Sequence, residues 1–504
     1  MYSYTKDVYK IPFEVALDRA GFGLYSYLVC ALTGLVILSF TCIVYGTMIL
    51  VPTSACELET TSAQQGLLAS APLVGTIAGG VLGGYLGDTR GRRNTLLMTL
   101  FLGAVTNALI SISVNWIMMI VMQFIASFLV SGNFSLALTL LSESVPMTKR
   151  NLLMLLVSSI FVLAQGLMSV VAIPIIPLSF SYYLPSLGIY WNSWRTLVVI
   201  YSLPGLISMC WLSLMKESPK FVFLKGSEQE AIEILKFIHG MNNKKGQKYE
   251  VYGLQKEKSL ITDRSKRGQI LPLFKRPFLK YTVILIVLNL LQVVGPFIVW
   301  LPTIANQFII MFRTGEAMDL TLCGVIALDL DAISHADVTT PCGLNETALL
   351  IVLSVGVGQS LVNTIISVIV NKTGRRIIVI AITAVCGLCG ILVNLVPHAI
   401  ISVVLFGVFL LGILVIGLYA AIVVALFPTH LRALAVAVTA TGSQLGSVVL
   451  IQILNWMLTS NCEIAFYLFS GLFASSAVVA SFLPDDRLFA RRPSPRKDIE
   501  TTKF

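Results

Sequence analysis

Charge is what this chain has least of. Asp, Glu, Lys and Arg together supply 12% of 504 residues and only four histidines are present, where an ordinary soluble domain is about 25% charged. The hydrophobic fraction is 56% and the mean hydropathy +0.86, so too little polar surface exists to cover the apolar residues in water. No nucleophile-and-base pair, phosphate-binding glycine loop or metal-ligand cluster stands out. An enzyme is therefore not expected, and no cofactor or metal is implied. The first 26 residues hold Lys6, Asp7, Lys10, Glu14, Asp18 and Arg19 without an apolar core. No cleavable signal peptide is read there, and the first long apolar run serves as its own targeting signal.

What the chain does have is apolar length. Runs able to cross a bilayer, about 17–25 residues each, fall near 27–51, 66–86, 94–112, 117–141, 152–178, 195–215, 280–302, 347–370, 377–396, 400–426, 433–458 and 463–483. The expected fold is an all-α membrane protein of twelve transmembrane helices in two pseudo-symmetric six-helix bundles. An even number of spans puts both termini on one side, and 33 of the 35 Lys and Arg lie on that side. Only Arg195 and Arg313 fall on the other, so the positive-inside rule makes both termini cytoplasmic. The net charge of +10 is thereby accounted for by topology, and nucleic acid is not an expected partner.

The organisation follows. Residues 1–26 form a cytoplasmic segment, 27–215 the first bundle, 216–279 a cytoplasmic linker, 280–483 the second bundle with an exoplasmic loop at 303–346, and 484–504 a basic tail expected to be disordered. In the linker, Ser218 and Pro219 open a short helix that Gly226 closes. Ser227 and Glu230 form a capping box before an amphipathic helix ending at Gly240, after which a Lys-rich mobile stretch is expected. Cys56, Cys323, Cys342 and Cys462 fall in exoplasmic loops, and Cys323 with Cys342, inside one loop, is the expected disulfide. Asn345-Glu-Thr347 is a glycosylation acceptor on that face. Trp191, Trp194 and Trp300 read as interface anchors.

One charged pattern occurs twice. Gly-Asp-Thr-Arg-Gly-Arg-Arg at 87–93 recurs as Asn-Lys-Thr-Gly-Arg-Arg at 371–376, each copy between two apolar runs at the corresponding place of its half, as in an internally duplicated transporter. Gly75, Gly79 and Gly83 are four apart, as are Gly80 and Gly84, so a neighbouring helix can approach the preceding span closely. Asp88 can meet a helix N-terminus of the other half, while Arg92 and Arg93 pair with acids such as Glu143, with Arg150 nearby. Together with Asn371, Arg375, Arg376 and Arg432 these residues compose a candidate cytoplasmic gate.

On these residues the chain resembles the major facilitator superfamily, whose loop between spans 2 and 3 carries G-x-x-x-D-x-x-G-R-R, here Gly84 to Arg93. Within it the closest likeness is to the synaptic vesicle glycoprotein 2 group and its sugar and organic-ion porter relatives. It is carried by Trp194-Arg195, by Lys216-Glu217-Ser218-Pro219-Lys220-Phe221, and by Ala425-Leu426-Phe427-Pro428-Thr429-His430-Leu431-Arg432. The resemblance implies two six-helix bundles around a central cavity and alternating access. Departures accompany it: the family's acids are replaced by Asn371 and Ala425, Ser39 to Met48 has no acid, and Gln123 stands where an Arg is common.

Well inside the spans there is no Asp, Glu, Lys, Arg or His, and a charge there would cost about 2.5–3.5 kcal/mol. No proton relay is read. Neutral groups recur at helical spacing instead: Asn289 and Gln292, Gln359 and Asn363, Thr441 and Gln444, with Gln123, Gln165, Tyr45 and Tyr419. The pairs share helix faces and could either read neutral groups of a solute in a shared cavity or bind helix to helix. The leading expectation is a monomeric, facilitative carrier of a small organic solute, polar and neutral or cationic, in the plasma membrane or a vesicle membrane. The alternative is a vesicle-glycoprotein-like protein acting through protein partners without transport.

Overall fold

The computed structural model describes residues 10–243, 249–255, 278–314, 321–324, 344–427 and 429–484. The tail after 484 and Cys342 lie outside them, as do the side chains of Asn371 and Arg432. Ten helices among the described residues are long and apolar enough to cross a membrane: Leu24–Ser54, Arg92–Ile112, Trp116–Ser144, Met147–Ala172, Ser193–Leu214, Phe278–Ile310, Glu346–Val370, Arg375–Leu392, Ala399–Val423 and Cys462–Ser481. An eleventh, Ser62–Arg90, is bent by 41° between Gly80 and Leu82. The remaining long helix, Thr429–Ser460, has 32 residues, and Ser443, Gln444, Gln452 and Asn455 dilute its apolarity. In chain order these are spans 1 to 12 of an α-helical, multi-pass integral membrane protein.

Four of them are broken at corresponding places. Span 1 is interrupted at Gly46, span 4 between Val130 and Asn133, span 7 between Leu290 and Val294, and span 10 by a 3-10 segment at Leu411–Leu414. Spans 1, 4, 7 and 10 each open a group of three, so the duplication read from the charged motif is repeated in backbone geometry. Breaks release carbonyls from the i→i−4 ladder, and these need other donors.

The motif glycines have a physical role. Gly91 (φ 103) and Gly374 (φ 84) each turn the chain from one span into the next with a backbone conformation that side chains disfavour. A Cβ on Gly91 would also press on Glu217 Oε2. In span 2, a Cβ on Gly75 would lie 2.5 Å from Phe124 O, and one on Gly83 2.9 Å from Gly132 Cα. The Gly75-Gly79-Gly83 stripe is thus where spans 2 and 4 touch, whereas Gly80 and Gly84 meet nothing. In the second half the packing is aromatic: Phe297 touches Phe406, Phe409, Phe466 and Phe469, the nearest ring at 4.9 Å.

The described part of the linker is built on two short helices. Ser218 Oγ accepts from Phe221 N–H, Pro219 occupies the first turn and Gly226 closes the helix in the left-handed conformation. The expected Ser227 box does not form, since Ser227 makes no side-chain cap. The following helix runs past Gly240 to Asn242, and Ala231, Ile234, Leu235 and Ile238 are buried on one face. It continues because its end is held: Asn242 Oδ1 accepts from Tyr25 N–H and Asn242 Nδ2 donates to Gly21 O. Beyond it, Gly253–Gln255 pairs in parallel with Lys10–Pro12. Within the stretch expected to be mobile, Gly253–Gln255 thus lies against the N-terminal segment, whose helix Phe13–Arg19 buries Phe13, Ala16 and Leu17.

Candidate functional site

Twelve spans define two faces, a terminal face carrying both chain ends and a far face. At the far face the two halves are joined by polar bonds. Gln452 Nε2 donates to Gly66 O (2.7 Å) and Ser70 Oγ (2.9 Å), and Asn455 Nδ2 donates to Ser62 O (2.6 Å), closing span 11 onto span 2. Span 1 meets span 7 beside them, where Thr47, Met48, Val51 and Pro52 face Val299, Trp300 and Thr303. Spans 5 and 8 touch through bare backbone, a Cβ on Gly356 falling 2.9 Å from Gly166 N. Nearer mid-depth, Asn363 Nδ2 donates to Ser159 Oγ at 3.3 Å.

The ion pairs described at the terminal face lie within the first half and its linker. Arg92 lies 3.2 Å from Glu143 and donates to Gly87 O, its guanidinium stands over the Phe221 ring, and Ser218 Oγ donates to Glu143 Oε2. Glu217 accepts the Arg93 N–H at the start of span 3, where a carboxylate also opposes the helix dipole. The Arg93 guanidinium donates to Leu212 O and Ser213 O at the end of span 6. In the second half Arg376 donates to Ser481 O at the end of span 12, the equivalent place, and Arg375 donates to Ala421 O. Arg375 finds a carbonyl where Arg92 finds a carboxylate, as expected with Ala425 where the family has an acid. Asp88 departs from expectation. Its side chain is 78% exposed and pairs with Arg92 of its own half, at 3.4 Å.

Sequence reasoning missed half of this girdle. Glu14, half-buried, binds Arg150 of span 5 at 2.8 Å and Lys220 of the linker at 2.9 Å. Asp18 Oδ1 accepts from Met147 N–H, capping span 5. Nothing in the first 26 residues flags these acids as partners, but Glu217 and Ser218 stood in a motif already singled out. The Gln452–Asn455 pair was findable by the same three-residue spacing used for Asn289 and Gln292.

The candidate cavity residues divide. Gln292 Nε2 donates to Gly412 O and Gln359 Nε2 to Leu410 O, both at 3.1 Å, so these amides bind carbonyls at the break in span 10. Asn289 Nδ2 donates to Leu285 O of its own helix. Gln165 Nε2 points at Met48 Sδ, 3.7 Å away. Gln123 is 1% exposed with neither amide atom hydrogen-bonded, and the Tyr419 hydroxyl is likewise buried. Tyr45, Asn363 and Gln444 remain half-buried. Tyr45 lies edge-on to Phe161, which meets Phe134, which meets Phe40, at centroid separations of 6.1, 5.3 and 6.1 Å.

At the far face three expectations are corrected. Cys323 is bonded to Cys462, with Cα atoms 5.6 Å apart, not to Cys342. Cys462 opens span 12, and packing of that span against its neighbours overrides proximity in sequence; Asn394 Oδ1 accepts Cys323 N–H nearby. Trp194 is not an interface anchor, since it is 2% exposed, donates to Glu57 and stacks on Arg195, whose guanidinium also binds Glu57 at 2.6 Å. Trp300 is buried at the seam between halves. The glycosylation candidate Asn345 caps span 8, its Oδ1 accepting from Thr347 N–H.

Two halves of six spans, each with a motif glycine turning span 2 into span 3 or span 8 into span 9, agree with a comparison of the sequence: the family model described as Major Facilitator Superfamily matches residues 29–328. The chain belongs to the major facilitator superfamily. Synaptic vesicle glycoprotein 2B of Mus musculus is 25% identical over 230 residues, 46% of this chain and 34% of that protein. The chain thus spans about a third of the first curated relatives it matches. Synaptic vesicle 2-related protein of Pongo abelii is 24% identical over 491 residues, 95% of this chain and 81% of that one. In fold the chain is similar to the xylose transporter XylE from E. coli in a partially occluded inward open conformation, with TM-score 0.65 and 16% identity over 92% of this chain and 100% of that one. A D-xylose-proton symporter is similar at TM-score 0.64 and 17% identity, covering 92% and 98%.

Proposed function

We propose that this superfamily member is a carrier that moves a small organic solute between its two halves by alternating access, with both termini cytoplasmic. The observation that carries the reading is the seam at the far face, where polar bonds tie span 2 to span 11, while the ion pairs of Arg92 with Glu143 and Arg150 with Glu14 at the terminal face lie inside the first half. We read this as a carrier closed at the far end, whose halves part at the terminal one. The basic loops support cytoplasmic termini, and the relatives' names support a vesicle membrane as the location.

Movement is uncoupled from protons. The similar structure just described is a proton symporter, but here no carboxylate stands well inside a span, and membrane proton relays are built from such groups. The alternative, a membrane protein working through protein partners, is favoured by Asn371 and Ala425, which stand where the family has acids. Proteoliposomes carrying the purified chain separate the two. Saturable solute flux that is indifferent to a pH gradient supports the carrier; flux strictly accompanied by protons overturns the uncoupled mechanism, and no flux for any solute overturns the carrier.

A further inference from the structure

One far-face connection breaks the duplication. In the second half, spans 11 and 12 are joined by Asn461 alone. The corresponding link of the first half, between spans 5 and 6, runs over residues 173–192 and contains a two-stranded antiparallel hairpin, Tyr182–Leu184 with Ile189–Trp191. Joining two packed helices does not require it, since such connections are usually short. From Ile173 to Asn192 there is no Asp, Glu, Lys, Arg or His.

The hairpin has one fixed face and one open face. Side chains alternate along each strand, so Tyr182, Leu184, Ile189 and Trp191 lie on one side and Tyr183 and Tyr190 on the other. Ile189 is buried, and the Trp191 indole N–H donates to Thr196 Oγ1 in the first turn of span 6 at 3.0 Å, which ties the hairpin to that span. On the open side the Tyr183 and Tyr190 rings pair at a centroid separation of 5.1 Å and are 55% and 54% exposed. Tyr182, beside Phe180 at 6.0 Å, is 68% exposed, and Leu178 and Leu187 are exposed as well. A contiguous aromatic and apolar surface of this kind marks a site of interaction.

Depth in the membrane identifies the partner. Span 6 has 22 residues, about 33 Å of helix against a hydrocarbon core of about 30 Å. Its first residue, Ser193, therefore stands at the edge of the core. Tyr190 and Trp191 come just before it, within the headgroup layer of about 5–8 Å on each side. Tyrosine rings, apolar in body and polar at the tip, favour that layer. We propose that the hairpin lies along the far-face leaflet of the protein's own bilayer, with Tyr183 and Tyr190 among the lipid headgroups. Its open face is then continuous with the lipid-facing surface of the spans, and the absence of charge spares it the cost of desolvating an ion there. The anchor belongs to the first half and stands whether or not a solute moves.

The test uses the full chain with Cys210→Ser and Leu187→Cys, labelled at the hairpin turn with the fluorophore NBD in phosphatidylcholine nanodiscs; the chain without Leu187→Cys gives the background. Phosphatidylcholine carrying a nitroxide on its headgroup, placed in the same nanodisc, should cut the emission at least twofold, while iodide in the water quenches far less. Adding Tyr183→Ser with Tyr190→Ser should reverse that ranking. Should the double serine variant fail to fold, the quenching of the chain with both tyrosines still decides. Iodide quenching equal to or above that of the nitroxide lipid overturns the proposal, as does an unchanged ranking in the serine variant. Quenching that appears only when the nitroxide lipid is supplied in separate vesicles would make the partner an apposed membrane, and overturns it too. Protection from both quenchers is equally fatal; energy transfer between labelled copies would then identify a second copy as what covers the hairpin.

Discussion

Replacing Glu143 by Gln should destabilise the protein far more than removing the corresponding cation of the second half, Arg375. The Arg92 and Glu143 side chains are each 11% exposed and 3.2 Å apart, and Glu143 also accepts from Ser218 Oγ. Breaking a buried pair from one side costs about 3–5 kcal/mol because a charge is left uncompensated. Arg92 keeps Gly87 O, the Phe221 ring and the exposed Asp88, and glutamine keeps the shape, so about 2–3 kcal/mol is expected for Glu143→Gln. Arg375→Gln removes the bond to Ala421 O, worth about 1 kcal/mol. The assay is the temperature at which detergent-solubilised protein loses its monodisperse peak. Glu143→Gln should lower it two- to threefold more than Arg375→Gln, and Ala425→Glu, one helical turn beyond Ala421, should raise it only while Arg375 is present. Equal shifts for the two halves, or a gain from Ala425→Glu that survives Arg375→Gln, would refute the account of an ionic girdle concentrated in the first half.

Three further outcomes follow from the same contacts. Burial by itself would raise the Glu14 carboxyl, but hydrogen bonds from Lys220 and Arg150 outweigh it and hold the group below its usual range. The clamp on the N-terminal helix is thus complete above the carboxylate's unfolded value and is lost as pH falls through the lower folded one. Proteolysis ahead of span 1 should rise only below about pH 4, and Glu14→Gln should make it rapid and pH-independent; a wild-type profile flat into acid contradicts this. Peptide mapping without reductant should recover Cys323 joined to Cys462, and recovery of a Cys323–Cys342 peptide would show the packing of span 12 to be wrong. Gln292→Leu with Gln359→Leu should lose about 1 kcal/mol per bond and speed amide exchange around Leu411–Leu414, whereas unchanged exchange would mean those amides do not hold the break.

Much of the fold was legible because a bilayer leaves few choices. Backbone polar groups must be satisfied inside each span, so apolar length alone located all twelve helices, and the repeated charged motif located the two-fold duplication. Composition and spacing also reached Glu143 with Arg92 and the Ser218-Pro219 helix start, since those depend on neighbours in sequence or on a motif that travels as a unit. They placed the Gly75-Gly79-Gly83 stripe as well, because a helix face is fixed by periodicity.

Partner choice across the molecule was not legible. Spacing put Gln292 and Gln359 on helix faces but could not say that span 10 breaks opposite them and offers carbonyls, which converts solute-reading amides into braces. It placed Cys323 nearest Cys342 along the chain, while assembly of the second half brought span 12, and Cys462, closer. Local sequence dictates what a segment can form, because periodicity and the hydrogen-bonding demands of the bilayer act over a few turns. Which side chains end up paired, which stay unpaired beside Trp300, and which end of the molecule is sealed depend on distances between residues hundreds of positions apart, and only the packed halves fix those.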